Sequence, residues 1–201
     1  GYRSFTIDTS APGTVSVTGT SPTNDTTPTW SWSNPSGGSG NYHRGWNSTT
    51  SYSNTTATSY TPGTQSAGTY TLYVRVRDAA MNWGSWGSKA ITIDTTAPPV
   101  PTHASPANAY YTNDTTPTLD WNASSGANYY TMQVDNNSNF SSVTDTYNGS
   151  GTADTTITLS NGTTYYWRMR ARDAAGNWSS YSSARNFILD TTAPRAQTCR
   201  S

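Results

Sequence analysis

Two stretches of this 201-residue chain return almost unchanged further along it, and this internal repeat limits the fold more than any other feature. The segment 24–32 reappears at 113–121, and the segment 75–83 reappears at 170–178. A third element, Asp-Thr-Ser/Thr-Ala-Pro, begins at Asp8, Asp94 and Asp190, which are 86 and 96 residues apart. Spacings of this size fit one small domain per repeat. We therefore predict two domains, at 9–94 and 95–190, joined by the short Asp-Thr-Thr-Ala-Pro element.

The two ends of the chain lie outside these predicted domains. The segment 3–8 aligns with 185–190, so we predict that residues 1–8 form a leading β-strand from or for a neighbouring domain. Residues 191–201 are interpreted as a C-terminal joint or tail, and they contain the single cysteine, Cys199. Two interpretations of this thiol stay open: an inert terminal group and an intermolecular disulfide.

Apolar and polar residues alternate with period two in several segments, which is typical of strands with one buried face. The clearest examples are 70–76 and 165–171, and further strands are predicted around 130–134, 157–159 and 187–189. The chain has 38 Thr and 28 Ser but no Glu and one Lys, so it lacks residues that favour exposed helices. We predict an all-β fold of two tandem antiparallel sandwiches, with about seven strands each.

The segment 162–178 carries a resemblance to a known family. It reads Gly-Thr-Thr-Tyr-Tyr-Trp-Arg-Met-Arg-Ala-Arg-Asp-Ala-Ala-Gly-Asn-Trp, and an Asp-Thr-Thr-Ala-Pro element follows it. This pattern resembles the fibronectin type III and immunoglobulin-like tandem repeats of bacterial surface proteins, and the likeness covers nearly all of the chain. It implies that Trp32 and Trp121 are the buried core tryptophans. Because such sandwiches host many unrelated roles, the resemblance implies little about function.

Several functional classes are disfavoured by charge and by missing motifs. The net charge is zero, which argues against a general nucleic-acid binder, and no apolar run approaches the roughly 18 residues of a membrane span. Neither of the two histidines, His43 and His103, has a second metal ligand beside it, and no phosphate loop, His-Glu-x-x-His motif or cysteine pair occurs. We predict a protein that is not an enzyme and requires no cofactor, with His43 as an exposed strand residue.

Outward-facing arginines precede an aromatic segment at the same place in both repeats. This arrangement is similar to the Trp-Ser-x-Trp-Ser element of cytokine-receptor fibronectin domains, in which guanidinium groups intercalate between aromatic rings. We predict a structural ladder of stacked Arg and aromatic side chains, and an aromatic and cationic ligand patch is the alternative. The predicted ladder residues are Arg75, Arg77, Trp83, Trp86, Arg168, Arg170, Arg172, Trp178 and Tyr181.

Aspartates recur near the predicted linkers and turns, where related adhesin repeats bind calcium. Calcium takes six to eight oxygen ligands, often including carboxylates. The alternative is that each Asp caps a turn or pairs with an arginine. Calcium is thus an optional ligand, and its predicted ligands are Asp25, Asp78, Asp94, Asp114, Asp173 and Asp190.

Ten Asn-x-Ser/Thr sequons make the chain a candidate glycoprotein. In a chain so rich in Asn, Ser and Thr many of them arise by chance. The acceptor asparagines are Asn24, Asn47, Asn54, Asn113, Asn122, Asn136, Asn139, Asn148, Asn161 and Asn177.

Two functional hypotheses follow from this pattern. The first is an extracellular structural protein, either the subunit of a pilus-like filament or the stalk of a surface adhesin. It would contact copies of itself or neighbouring repeats head to tail, with Phe5 and Ile7 anchoring strand addition. The alternative is a carbohydrate-binding accessory module of a secreted enzyme, with Trp46, Trp86 and Tyr181 as residues that stack on sugars.

Overall fold

The computed structural model describes residues 3–193, and within this range it shows two compact units with the boundary between Thr95 and Thr96. Each unit is a sandwich of two β-sheets, and the described residues contain no helix. Within this range, accordingly, no helix is long and apolar enough to cross a lipid bilayer. Cys199 and residues 194–201 of the predicted tail lie outside the described residues.

The first unit contains seven strands in two sheets. One sheet has the order β1-β2-β5, and the other has the order β4-β3-β6-β7. All named strand pairs of this unit are antiparallel. The strands are β1 (Val17–Thr18), β2 (Trp30–Trp32), β3 (Asn41–Trp46), β4 (Tyr52–Thr55), β5 (Ser59–Tyr60), β6 (Gly68–Arg77) and β7 (Gly87–Ile93).

The second unit repeats this plan and adds one strand. Its smaller sheet has the order β13-β10-β8, and its larger sheet has the order β12-β11-β14-β15-β9. The additional strand, β9, pairs in parallel with β15. The strands are β8 (Thr102–Ser105), β9 (Tyr110–Thr112), β10 (Thr118–Asn122), β11 (Ala127–Asp135), β12 (Asp145–Gly149), β13 (Ala153–Thr155), β14 (Thr163–Asp173) and β15 (Arg185–Leu189).

The core of each unit forms because alternate residues of the long strands face the opposite sheet. In β6 the buried residues are Leu72, Val74 and Val76, and in β14 they run from Tyr165 to Ala171 at every second position. Trp32 and Trp121 are 6% and 3% exposed, so both predicted core tryptophans are buried. This burial confirms the register that the alternation predicts.

The strand predicted around 157–159 is wrong. The structure ends β13 at Thr155, and the chain from 156 to 162 forms a loop and turn. Leu159 is buried, and its backbone N–H donates to the Thr115 carbonyl at 2.8 Å, whereas Ile157 is 53% exposed. One apolar side chain that plugs the core from a loop gives the same local pattern as a short strand.

Candidate functional site

The outer face of the second sandwich carries a continuous stack of alternating rings and guanidinium groups. The three arginines lie on β14 and point away from the core, because they alternate with its buried residues. Each guanidinium carbon lies between 4.0 and 5.2 Å from the centroids of two rings. We call this stack the second ladder, and its order is Phe140, Arg168, Tyr181, Arg170, Trp178, Arg172, Tyr129.

The segment 178–182 is fixed over β14 by backbone hydrogen bonds. Ser179 N–H donates to the Ala171 carbonyl and Ser182 N–H donates to the Met169 carbonyl, each at 2.8 Å. The Ser179 hydroxyl accepts from Ala171 N–H at 2.9 Å. The segment therefore runs alongside β14 before β15 begins at Arg185, and this places Trp178 and Tyr181 between the arginines.

The first sandwich has a shorter stack, which we call the first ladder. The Arg75 guanidinium lies 4.8 Å from the Trp83 ring and 4.6 Å from the Trp86 ring, and Arg77 lies 5.9 Å from Trp83. The structure thus brings together all nine predicted ladder residues, in two separate groups. The sequence prediction missed Phe140 and Tyr129, which come from other strands and loops and share no local motif with β14.

His43 is buried in the first ladder, so its prediction as an exposed residue is wrong. Its ring stacks on Tyr52 at 4.0 Å and lies 3.6 Å from Trp83, which leaves it 8% exposed. Burial lowers the pKa of His43, and the positive charges of Arg75 and Arg77 lower it further. The Arg75 Nε–H donates to Nδ1 of His43 at 3.3 Å, which fits a neutral imidazole that accepts through this nitrogen.

The three aromatic residues expected to stack on sugars are not open platforms. Trp46 packs against Trp30, Tyr60 and Tyr70 at 5.2 to 5.6 Å and contributes to the first core. Trp86 is stacked on Arg75, and Tyr181 lies between Arg168 and Arg170. The protein's own guanidinium groups therefore occupy faces that a sugar would need.

The six predicted calcium ligands do not converge. Asp78 follows the end of β6, whereas Asp94 follows the end of the antiparallel β7, so the two lie at opposite ends of these strands. The same argument separates Asp173 from Asp190. Among residues 3–193, no group of three His, Cys, Asp or Glu side chains could hold a metal ion.

Most of these aspartates instead organise turns. Asp25 accepts from Thr27 N–H at 2.8 Å and Asp114 accepts from Thr116 N–H at 2.9 Å. The side-chain amide of Asn82 donates to Asp78 and, together with backbone N–H groups, lowers the pKa of that carboxyl. Burial would raise the pKa of Asp173, but hydrogen bonds from Asn177 and its neighbours outweigh burial and lower it. The Thr192 N–H group lowers the pKa of Asp190.

Residues 3–8 form no hydrogen-bonded strand with any part of the chain that the structure describes. Phe5 is 85% exposed and Ile7 is 76% exposed. The carbonyl of Asp8 accepts from the Asn82 side-chain amide at 2.9 Å, so the segment is fixed at its last residue. The leading strand stays a prediction, because residues 3–8 pair with no strand among residues 3–193.

Nine of the ten predicted acceptor asparagines are exposed, and Asn177 is half-buried. The side chain of Asn177 donates to Asp173 at 2.9 Å, which uses the amide nitrogen that a glycan would need. The other nine remain candidate glycosylation sites.

The sequence prediction missed a cleft on the second unit. It has a volume of about 530 Å³ and is lined by polar groups together with Tyr110, Pro106 and Pro117. Tyr110 and its neighbour Tyr111 are 50% and 65% exposed. A signal was available, since both tyrosines fall in five residues that the second repeat has and the first repeat lacks.

Comparison with known proteins supports this fold. Among the solved structures that share it are the fibronectin(III)-like modules of Clostridium thermocellum CbhA, with a TM-score of 0.56 and 12% identity; the match covers 87% of this chain and 94% of that one. The FN1–FN3 domains of chicken CNTN1 match with a TM-score of 0.50 and 13% identity, over 89% of this chain and 68% of that one. The chain is thus a pair of fibronectin type III-like sandwiches.

A curated relative extends the comparison beyond the fold. Chitinase A1 of Niallia circulans is 34% identical over 212 residues, an alignment that covers 94% of this chain. The chain spans 28% of the length of that protein. No model of a known protein family matches the chain.

Proposed function

We propose that this chain is a non-catalytic accessory pair of a secreted enzyme that degrades a polysaccharide, with chitin as the first substrate to test. The observation that carries this proposal is the similarity of nearly the whole chain to one part of chitinase A1. The likeness to the CbhA modules supports the same role through the fold. A secreted enzyme would place the chain outside the cell.

Each of the two units has a stable fold of its own, as a non-catalytic spacer domain requires. Each has its own buried core, and each carries its ladder on the outer face of its larger sheet. The ladders stabilise these faces mainly by stacking of rings on guanidinium groups. Such units can carry a catalytic domain along a solid substrate without contributing to the chemistry.

The test replaces the matching part of chitinase A1 with this chain and compares the chimera with a deletion of that part. We expect the chimera to hydrolyse insoluble chitin faster than the deletion variant, and both to hydrolyse soluble chito-oligosaccharides at the same rate. Equal rates on insoluble chitin would overturn the proposal. Loss of activity on the soluble substrate would show instead that the catalytic domain was damaged.

A second candidate function, a filament subunit or adhesin stalk, is favoured by the exposed apolar side chains of Phe5 and Ile7. Two such residues on one side of an extended segment could add to the edge of a neighbouring sheet. Removal of residues 1–7 should abolish any polymers that electron microscopy detects at high protein concentration. Polymers that persist, or a chain that stays monomeric throughout, would reject strand addition.

A further inference from the structure

The second unit contains a five-residue insertion that the first unit does without. Both units share the frame Ser-Pro followed by Thr-Asn-Asp-Thr-Thr-Pro-Thr, at 21–29 and at 105–118. In the second copy, residues 107–111, Ala-Asn-Ala-Tyr-Tyr, separate the two parts of the frame. In the first unit Pro22 is followed directly by Thr23, and that unit still forms the same sandwich. The fold therefore does not require the insertion.

The insertion is held firmly in place. Ala109 N–H donates to both the carbonyl and the side-chain oxygen of Asn186 at 2.9 Å, and Asn186 N–H donates to the Asn108 side chain at 3.0 Å. Ala109 adopts a φ of 60°, a left-handed conformation that is unfavourable for alanine. Strain of this kind persists only where the surroundings enforce it, and it clusters at functional sites.

The insertion directs one tyrosine to the cleft and its neighbour elsewhere. Tyr110 and Tyr111 are successive residues of β9, so their side chains point to opposite faces. Tyr110 lines the cleft, whereas Tyr111 does not. A half-exposed ring is thus fixed beside the side chains of Asn113, Asp114 and Thr118.

The polar groups of the cleft are arranged for hydroxylated ligands. The Oδ1 atom of Asp114 accepts from the backbone N–H and the hydroxyl of Thr116. Its Oδ2 atom has no hydrogen-bond partner among the described residues and is available to a ligand. The amide of Asn113 can donate and accept, and the hydroxyl of Thr118 shares a hydrogen bond of 3.0 Å with Thr155. A cleft of about 530 Å³ lies within the range of small-ligand sites.

We propose that this cleft binds one pyranose ring of a neutral polysaccharide chain. The ring of Tyr110 packs against the C–H face of the sugar, and Asp114 and Asn113 bond its neighbouring hydroxyl groups. The carboxylate of Asp114 disfavours an anionic sugar, because like charges repel. This site rests on the proposed function, and it names the surface through which the accessory pair holds its substrate.

The test measures binding of chitohexaose, and of cellohexaose as a second neutral glycan, to the full chain by titration calorimetry. The wild-type chain should bind at least one of them. Tyr110→Ala should weaken that binding about tenfold, which corresponds to about 1.4 kcal/mol. Tyr111→Ala is the matched control from the same insertion, and it should change the affinity less than about twofold.

Two further variants separate the site from the fold. Asp114→Asn should weaken binding, whereas Asp25→Asn, at the equivalent position of the first unit, should leave it unchanged. Deletion of 107–111 recreates the frame of the first unit, and it should abolish binding while circular dichroism and the melting temperature of the second unit stay near their wild-type values. If the deletion variant fails to fold, the comparison of Tyr110→Ala with Tyr111→Ala still tests whether the cleft binds the sugar.

The outcomes distinguish this site from the function on which it rests. Binding that survives Tyr110→Ala would overturn the site and leave the accessory role standing. Absence of binding to either glycan by the wild-type chain would also overturn the site, and the chimera experiment would still judge the accessory role. Equal losses for Tyr110→Ala and Tyr111→Ala would show that binding does not depend specifically on the cleft, and this too would overturn the sugar site.

Discussion

The outer faces of both sandwiches carry stacked rings and guanidinium groups, but the number of groups in the stack differs. The second ladder alternates four rings with three arginines, and each of these arginines lies between two rings. In the first ladder Arg77 contacts one ring, that of Trp83. The residue opposite Arg77 on the neighbouring strand is Asn41, whereas the residue opposite Arg172 in the second unit is Tyr129. Asn41 therefore occupies the position equivalent to Tyr129. The first unit compensates with His43, which lies between Tyr52 and Trp83.

This difference shows which parts of the ladder are general. The pair of arginines on the long strand and the aromatic segment that folds over it occur in both units, whereas the rings at the ends differ. A stacked arginine needs a ring on at least one face, and additional rings add smaller increments. The following variants test that view, beginning with the core that both units share.

The largest effect should come from the core tryptophans. Trp32→Ala and Trp121→Ala should each destabilise their own unit by about 3–5 kcal/mol, because each removes a large buried ring and leaves a cavity. Chemical denaturation of the full chain, with Ser85→Ala as an exposed control, measures this loss. A loss below about 1 kcal/mol in either unit would contradict the assigned core.

The next effect concerns stacking in the second ladder. Arg170 lies 4.2 Å from Trp178 and 4.8 Å from Tyr181, and its buried Nε has no hydrogen-bond partner in the described residues. Arg170→Met should therefore remove mainly stacking and destabilise the second unit by about 1–2 kcal/mol. Arg170→Lys keeps the charge but not the planar group, and it should cost nearly as much. A lysine variant as stable as the wild type would favour charge over stacking.

A smaller effect should come from completing the first ladder. Asn41→Tyr places a ring at the position equivalent to Tyr129, and we expect it to stabilise the first unit by about 0.5–1 kcal/mol. The reciprocal variant, Tyr129→Asn, should destabilise the second unit by a similar amount. Calorimetric melting of both proteins checks the pair, and changes of the same sign would refute the equivalence of the two positions.

The smallest effect is a dependence on pH that arises from His43. Its pKa is lowered in the folded state, so the unfolded chain takes up the proton first as the pH falls. The contribution of His43 to stability should therefore be complete above about pH 6.5, its pKa in the unfolded chain, and should decrease as the pH falls towards its lower pKa in the folded state. His43→Thr, which copies Thr131 of the second unit, should reduce this decline between pH 7 and pH 5. Identical melting curves for both proteins across that range would exclude the effect.

The sequence predicts the sandwich well because the alternation can be read within each segment and the repeat can be read by comparing the chain with itself. It also predicts the ladder residues that lie in the motif around β14 and its copy. It could not predict Phe140, Tyr129 or the burial of His43, since these depend on contacts between segments far apart in the chain. Ile157 and Leu159 mislead for the opposite reason, because a loop can imitate a strand over three residues.

The cleft beside Tyr110 is a different case. Its signal was the length difference between two nearly identical frames, which becomes visible only when the copies are aligned with a gap. Exposed tyrosines in a chain with fourteen of them carry little information by themselves. They become informative because they lie in an insertion between two stretches that are otherwise identical in both repeats.

The parallel pairing of β9 with β15 also covers the last strand of the second unit's larger sheet, whereas β7 of the first unit remains at an edge. A parallel bridge between Thr23 and Ile93 covers one end of β7, and edge strands in general present unpaired backbone groups with which another strand could pair. The single lysine of the chain, Lys89, lies on this strand. Addition of another β-strand along β7 would remove water from the ammonium group of Lys89, so we expect this lysine to disfavour edge-to-edge aggregation.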